Sequence, residues 1–245
     1  MERENRKPLI HCITNPIAMN QSANTILALG ARPIMAEHPL EVEEITETAD
    51  ALLLNLGNIS DTRMEAMEKA IAVANAKGIP VVLDAVGVAC SGLRRNFAKQ
   101  LIIQHKCRVI KGNYSELMAL YDDSYRSSGV DAGQDISVSH MKDIDSKLAE
   151  QYKCIILSTG KTDLISYEGK VISVEGGCAE LSSVTGTGCM LGAIIATGLA
   201  FDNSPVSVEK ACRFFKSCGV KARTDKGSGT FMVNLLDKIG EKDGF

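Results

Sequence analysis

The sequence predicts an α/β fold, a central and mostly parallel sheet flanked by helices on both faces. Three observations carry that expectation. Short apolar runs alternate with helical stretches from residue 9 onward, the pattern of repeated strand-helix-strand units. Some runs, such as Ala51-Leu52-Leu53-Leu54, are apolar at every position, as expected of strands covered on both faces. The composition is 45% hydrophobic but only 4% aromatic, without tryptophan, so the core is aliphatic and suits helices packed closely on a sheet.

The elements follow in order. Residues 9–13 form a strand stopped by Thr14-Asn15-Pro16, where Asn15 either caps the next helix or turns its amide into a cleft. A helix over 20–29 ends at Gly30. Residues 33–36 are extended, and Met35 there either fills core or lines a pocket. An acidic amphipathic helix spans 40–49. Strand 51–56 ends in Asn55-Leu56-Gly57-Asn58, and Ser60 caps a helix that runs to Lys77 and closes at Gly78. Strand 80–84 carries Asp84 at its carboxyl end. After a helix over 93–104, strand 107–111 leads into Gly112-Asn113-Tyr114-Ser115-Glu116 at the head of another helix. Asn113 and Glu116 share its first turn, either as a capping box or as oxygen ligands of a hydrated magnesium ion.

A polar loop over 122–134 precedes a helix ending near residue 151. Strand 153–158 follows, with Thr159 at its tip, and then Glu168-Gly169 joins residues 163–167 to 170–175 as a hairpin. Residues 184–199 are the centre of the chain. The glycine-spaced turn Gly186-Thr187-Gly188-Cys189 opens a helix that is apolar in every direction, and such a helix belongs inside the molecule. Its free amino end is a candidate phosphate cradle. Cys189 in the first turn is either a packed thiol or a base whose thiolate the helix end favours. Helices over 206–224 and 231–239 complete the chain.

Several function classes recede on composition. The 245 residues carry a net charge of -3 with lysine and arginine dispersed among acids, so no basic footprint for nucleic acid exists. No apolar run reaches the length of a bilayer span, the first eight residues hold no signal region, and no linker divides the chain. The expectation is one cytoplasmic domain over 1–245. Eight cysteines show no Cys-x-x-Cys pair and four histidines are scattered, which argues against a zinc site.

Read together, His11-Cys12-Ile13-Thr14-Asn15, Leu27-Ala28-Leu29-Gly30-Ala31, Pro33-Ile34-Met35-Ala36, Val82-Leu83-Asp84 with Val86-Gly87, Gly112-Asn113 with Glu116, Gly129-Val130-Asp131-Ala132-Gly133, Thr159-Gly160, Val184-Thr185-Gly186-Thr187-Gly188-Cys189 and Asp225-Lys226-Gly227 occur in this order. The set resembles the hydroxyethylthiazole kinases of thiamin salvage, a branch of the ribokinase-like fold, over nearly the whole chain. The resemblance implies transfer of the ATP γ-phosphate to the primary alcohol of 4-methyl-5-(2-hydroxyethyl)thiazole, with Mg²⁺. It implies thiazole contacts at Met35 and Gly186 with Asn15 nearby, and nucleotide contacts at Lys111, Thr159, Gly188 and Asn113. Cys189 matches the catalytic base, and Glu116 and Asp84 are the candidate metal carboxylates. It also implies a homotrimer with sites between subunits. Ala85, Lys111 and Lys161 stand where the family usually has proline, arginine and an acid. The alternatives are kinase action on another heterocyclic alcohol such as hydroxymethylpyrimidine, or a non-catalytic thiazole or nucleotide sensor.

Overall fold

A computed structural model describes residues 6–126 and 136–241. The motif at 129–133 lies outside the described residues. Among the described residues, eight strands form one sheet in the order β2-β1-β3-β4-β5-β6-β7-β8. These are β1 (Leu9–Ile13), β2 (Arg32–Ile34), β3 (Ala51–Asn55), β4 (Val81–Asp84), β5 (Val109–Asn113), β6 (Ile155–Thr159), β7 (Asp163–Tyr167) and β8 (Lys170–Val174). Every pairing from β2 through β6 is parallel, and β7 and β8 add the expected hairpin antiparallel at one edge.

The strands alternate side chains between two cores. Leu52, Leu54, Val81, Leu83 and Ile110 face one core, closed by α3 (Asp61–Lys77), α4 (Gly92–Gln104), α5 (Tyr114–Tyr121) and α6 (Val138–Tyr152). Leu53, Val82, Val109 and Leu157 face the other, closed by α1 (Met19–Ala28), α8 (Thr187–Phe201), α9 (Pro205–Ala222) and α10 (Ser228–Ile239). Both faces of the sheet are thus apolar, which is why the central strands read as unbroken hydrophobic runs. Two short helices complete the set, α2 (Val42–Thr48) and α7 (Glu180–Ser183).

Local signals set the ends of several elements. The Ser60 hydroxyl accepts from the Arg63 N–H at the start of α3, and Gly78 closes it in the left-handed region at φ 70°. Helix α8 is buried nearly throughout, packs on β1, β3 and β4, and is gripped from the outside by α1 and α9. Its amino end is therefore held at the carboxyl edge of the sheet, where ligands of open α/β sheets bind. None of the helices among the described residues is long and apolar enough to cross a membrane.

Several boundaries differ from expectation by one to three residues. Strand β5 begins at Val109 rather than residue 107 and runs on to Asn113, because its pairing with β6 continues to the Asn113–Thr159 register. Helix α10 begins at Ser228, a turn earlier than its apolar pattern suggests. The single turn of α7 carries no buried residue and so gives no periodic signal.

Candidate active site

Strand register assembles the site. Asn55 pairs with Asp84 between β3 and β4, and Asp84 pairs with Lys111 between β4 and β5. Side chains alternate along a strand, so these three share the face of Leu53, Val82 and Val109 and form a polar row under the start of α8. Further along the same edge, Asn113 is in register with Thr159.

The row is a connected network. The Lys111 ammonium donates to Asp84 Oδ1 at 3.0 Å with both side chains buried. Asn55 Nδ2 donates to Asp84 Oδ2 at 3.1 Å and to Cys189 Sγ at 3.2 Å. From the turn after β1, Asn15 Nδ2 donates to Asn55 Oδ1 at 3.0 Å and to the same sulfur at 3.4 Å. Asn15 Oδ1 also accepts from the Ala18 N–H at 3.0 Å, which closes the turn before α1; the helix itself has Ala18 at its N-cap and no side-chain cap, so Asn15 does not cap it.

At the amino end of α8, Gly186 sits in the left-handed region at φ 95° and no side chain caps the helix. The Thr187 hydroxyl instead turns back onto the carbonyls of Leu181 and Val184 and fixes the turn. A side chain at Gly188 would begin 3.9 Å from Lys111 Nζ, and one at Gly186 would meet Gln21 and Ala18 at 3.6 Å. An uncapped helix end thus stands beside a buried ammonium, an arrangement that favours an anion. Met35 is half-buried and packs on the core shared by α8. Thr159, also half-buried, donates to the Gly112 carbonyl at 3.3 Å.

The electrostatics correct one expectation. The helix end was expected to favour the Cys189 thiolate, yet burial and then the Asp84 carboxylate push this thiol above its ordinary value, against the opposing pull of Lys111 and the two asparagine amides. A helix end acts only within its first turn and weakly, whereas desolvation and a buried like charge are larger. Burial also raises the Asp84 carboxyl despite Lys111. For Lys111, burial works against the charge, but Asp84, Cys189 and Glu116 outweigh it and the ammonium holds its proton more firmly than usual.

The two candidate metal carboxylates are already engaged. Glu116 and Asn113 form the capping box, with the Glu116 N–H donating to Asn113 Oδ1 at 2.9 Å and Glu116 Oε2 accepting from the Asn113 N–H at 2.7 Å. Glu116 Oε1 accepts from the Gly87 N–H at 2.7 Å, so the side chain ties the β4 loop to α5. Burial holds its carboxyl up at about 7. Both oxygens of Asp84 have partners, and among the described residues no group of three or more acids, histidines or cysteines could hold a metal ion. These side chains do not fit a direct ligand shell for magnesium.

Sequence reasoning gave Asn55 no role, although it joins Asp84, Asn15 and Cys189. The available signal was a lone amide closing the otherwise aliphatic strand Ala51-Leu52-Leu53-Leu54-Asn55.

Comparison with known proteins gives a consistent picture. A family model described as the hydroxyethylthiazole kinase family matches residues 2–242. A relative named hydroxyethylthiazole kinase 2, from Clostridium botulinum (strain Kyoto / Type A2), is 42% identical over 239 residues, spanning 96% of this chain and 90% of that protein. The solved structure of a hydroxyethylthiazole kinase protein from Pyrococcus horikoshii OT3 superposes with a TM-score of 0.83 at 31% identity, over 96% of this chain and 88% of that one. A ribokinase-like superfamily protein from Enterococcus faecalis V583, 14% identical with a TM-score of 0.67 over 94% and 86% of the two chains, shares the fold.

Proposed function

We infer the reaction from one premise, that this chain belongs to the hydroxyethylthiazole kinase family: it transfers the γ-phosphoryl group of ATP to the primary alcohol of 4-methyl-5-(2-hydroxyethyl)thiazole. The observation that carries the reading is the uncapped start of α8, with Cys189 in its first turn and Lys111 beside Gly188. Phosphoryl transfer demands alignment and charge neutralisation more than covalent chemistry. The N–H groups of Gly188 and its neighbours, with the Lys111 ammonium, neutralise the phosphoryl oxygens. Thr159 and Asn113, in register on β6 and β5, face the nucleotide.

Met35 and Gly186 line the thiazole side, with Asn15 next to the reacting sulfur. Cys189 accepts the alcohol proton as the oxygen attacks phosphorus. Because its thiol is raised, only a minor thiolate fraction is present at neutral pH, and turnover grows with that fraction. Asp84 and Glu116 are committed to protein partners and would not ligate magnesium directly, so the metal of Mg-ATP would balance phosphate charge without them. Their part is to hold Lys111 and the loop around Gly87 in place.

The proposed assembly is a homotrimer with the sites between subunits. Exposed Ile17, two residues after Asn15, and exposed Leu27 on α1 supply apolar surface for it. Sedimentation at three times the chain mass supports it, and a monomer at working concentration counts against it. All eight cysteines are free thiols, as suits the cytoplasm. The reaction is tested by incubating the protein with Mg-ATP and the thiazole alcohol, where equimolar ADP and thiazole phosphate are expected and their absence refutes the assignment.

A further inference from the structure

The amide of Asn55 can be oriented in only one way. Its Oδ1 meets two donors, Asn15 Nδ2 at 3.0 Å and the Gly57 N–H at 2.9 Å, while its Nδ2 meets two acceptors, Asp84 Oδ2 at 3.1 Å and Cys189 Sγ at 3.2 Å. Turning the amide over would set N–H groups against N–H groups and oxygen against a carboxylate. All four bonds would be lost at a fully buried site.

The sulfur is constrained in turn. With N–H groups of both Asn55 and Asn15 directed at it, Cys189 Sγ is an acceptor on that side, and any thiol proton must lie elsewhere. The turn after β3 is built around the same pair. A side chain at Gly57 would begin 2.9 Å from Asn15 Nδ2 and 3.0 Å from Asn55 Oδ1, so only glycine leaves the two amides in contact.

We propose that Asn55 is a positioning residue for the reacting sulfur, holding Cys189 Sγ as a hydrogen-bond acceptor at the start of α8 and keeping a neutral amide between it and the Asp84 carboxylate. The proposal rests on Cys189 being the base for its consequence in turnover, but not for its effect on the sulfur itself. An aspartate at 55 would have nearly the same shape and no proton to donate, so it would face both the sulfur and Asp84 with negative charge.

Two readouts separate the claims. The first is the rate at which iodoacetamide alkylates Cys189 at pH 8 without substrates, followed by mass spectrometry of the Cys189 peptide so that exposed Cys90 does not interfere. Asn55→Asp is expected to slow it at least ~10-fold, since replacing a donor by a like charge moves a thiol by about one pH unit or more. Gly57→Ala, which pushes on the amide pair without altering charge, is expected to change it ~3-fold. The second readout is the kcat and KM for the thiazole alcohol, where Asn55→Asp is expected to lower kcat ~100-fold and leave KM within about threefold.

Circular dichroism and the melting temperature check that each variant folds, and Gly57→Ala carries the test if Asn55→Asp does not. Alkylation at the wild-type rate in a folded variant overturns the proposal. Slowed alkylation with unchanged kcat upholds the positioning of the sulfur and refutes Cys189 as the base.

Discussion

Lys111→Met removes one member of the buried pair and leaves Asp84 without its cation. Breaking a buried ion pair from one side costs about 3–5 kcal/mol, and the low end applies here because Asn55 still donates to Asp84 Oδ2. In a domain of this size 1 kcal/mol corresponds to roughly 2–4 °C, so the melting temperature at pH 7.5 should fall by about 6–12 °C.

The pH dependence identifies the cause. Burial already raises the Asp84 carboxyl above its unfolded value with Lys111 present, and without Lys111 it rises further. A carboxyl raised in the folded state binds more protons folded than unfolded, so its contribution is fully present at low pH and is lost as pH rises through the folded value. The deficit of the variant should narrow by up to about 1.4 kcal/mol per unit as pH is lowered from 7.5 toward 5. Urea titration of wild type and variant at both pH values measures it. A deficit below about 1 kcal/mol at pH 7.5, or one that does not shrink at pH 5, would refute the argument that Lys111 neutralises a buried carboxylate.

Two further outcomes follow from the titrating groups. With the Cys189 thiol above its ordinary value, kcat should rise about tenfold between pH 7 and 8 and continue rising past pH 9, because the thiolate fraction grows tenfold per unit below the thiol pKa; a plateau reached by pH 7 would contradict it. Asp145, on α6, is pushed up to about 7 by burial, and among the described residues only its Oδ1 has a partner, the Ser158 hydroxyl at 2.7 Å. Its ionised form costs stability as pH rises from about 4 to 7, so Asp145→Asn, which keeps the Ser158 contact, should be more stable than wild type at pH 8 by on the order of 4 kcal/mol, with the advantage reduced to about 1 kcal/mol or less at pH 4.5. An advantage that is the same at both pH values would show that charge is not the cause.

The sequence made some features of the site plain and hid others for physical reasons. The glycine turn before an all-apolar helix identifies a buried helix start without any knowledge of topology, and Gly186 and Cys189 stand there. Polar residues at the ends of apolar strands, Asp84 and Thr159 among them, are equally local signals. That Asn55, Asp84 and Lys111 lie side by side depends on the order β3-β4-β5 and on matching register, and no spacing within one segment encodes either. The same gap explains the Cys189 thiol. The helix end is local and visible, while the opposing carboxylate of Asp84 comes from a strand about a hundred residues earlier. The capping box of Asn113 and Glu116 was one of two readings open from spacing, and the Gly87 N–H that occupies the other Glu116 oxygen comes from a different loop.

The most direct test compares wild type with Cys189→Ala, each given Mg-ATP and the thiazole alcohol at saturating and limiting concentrations. The account predicts equimolar ADP and thiazole phosphate from wild type, and in the variant a kcat lower by ~100-fold or more with a thiazole KM changed by less than about threefold. No product from wild type, or the same kcat in both proteins, would contradict it.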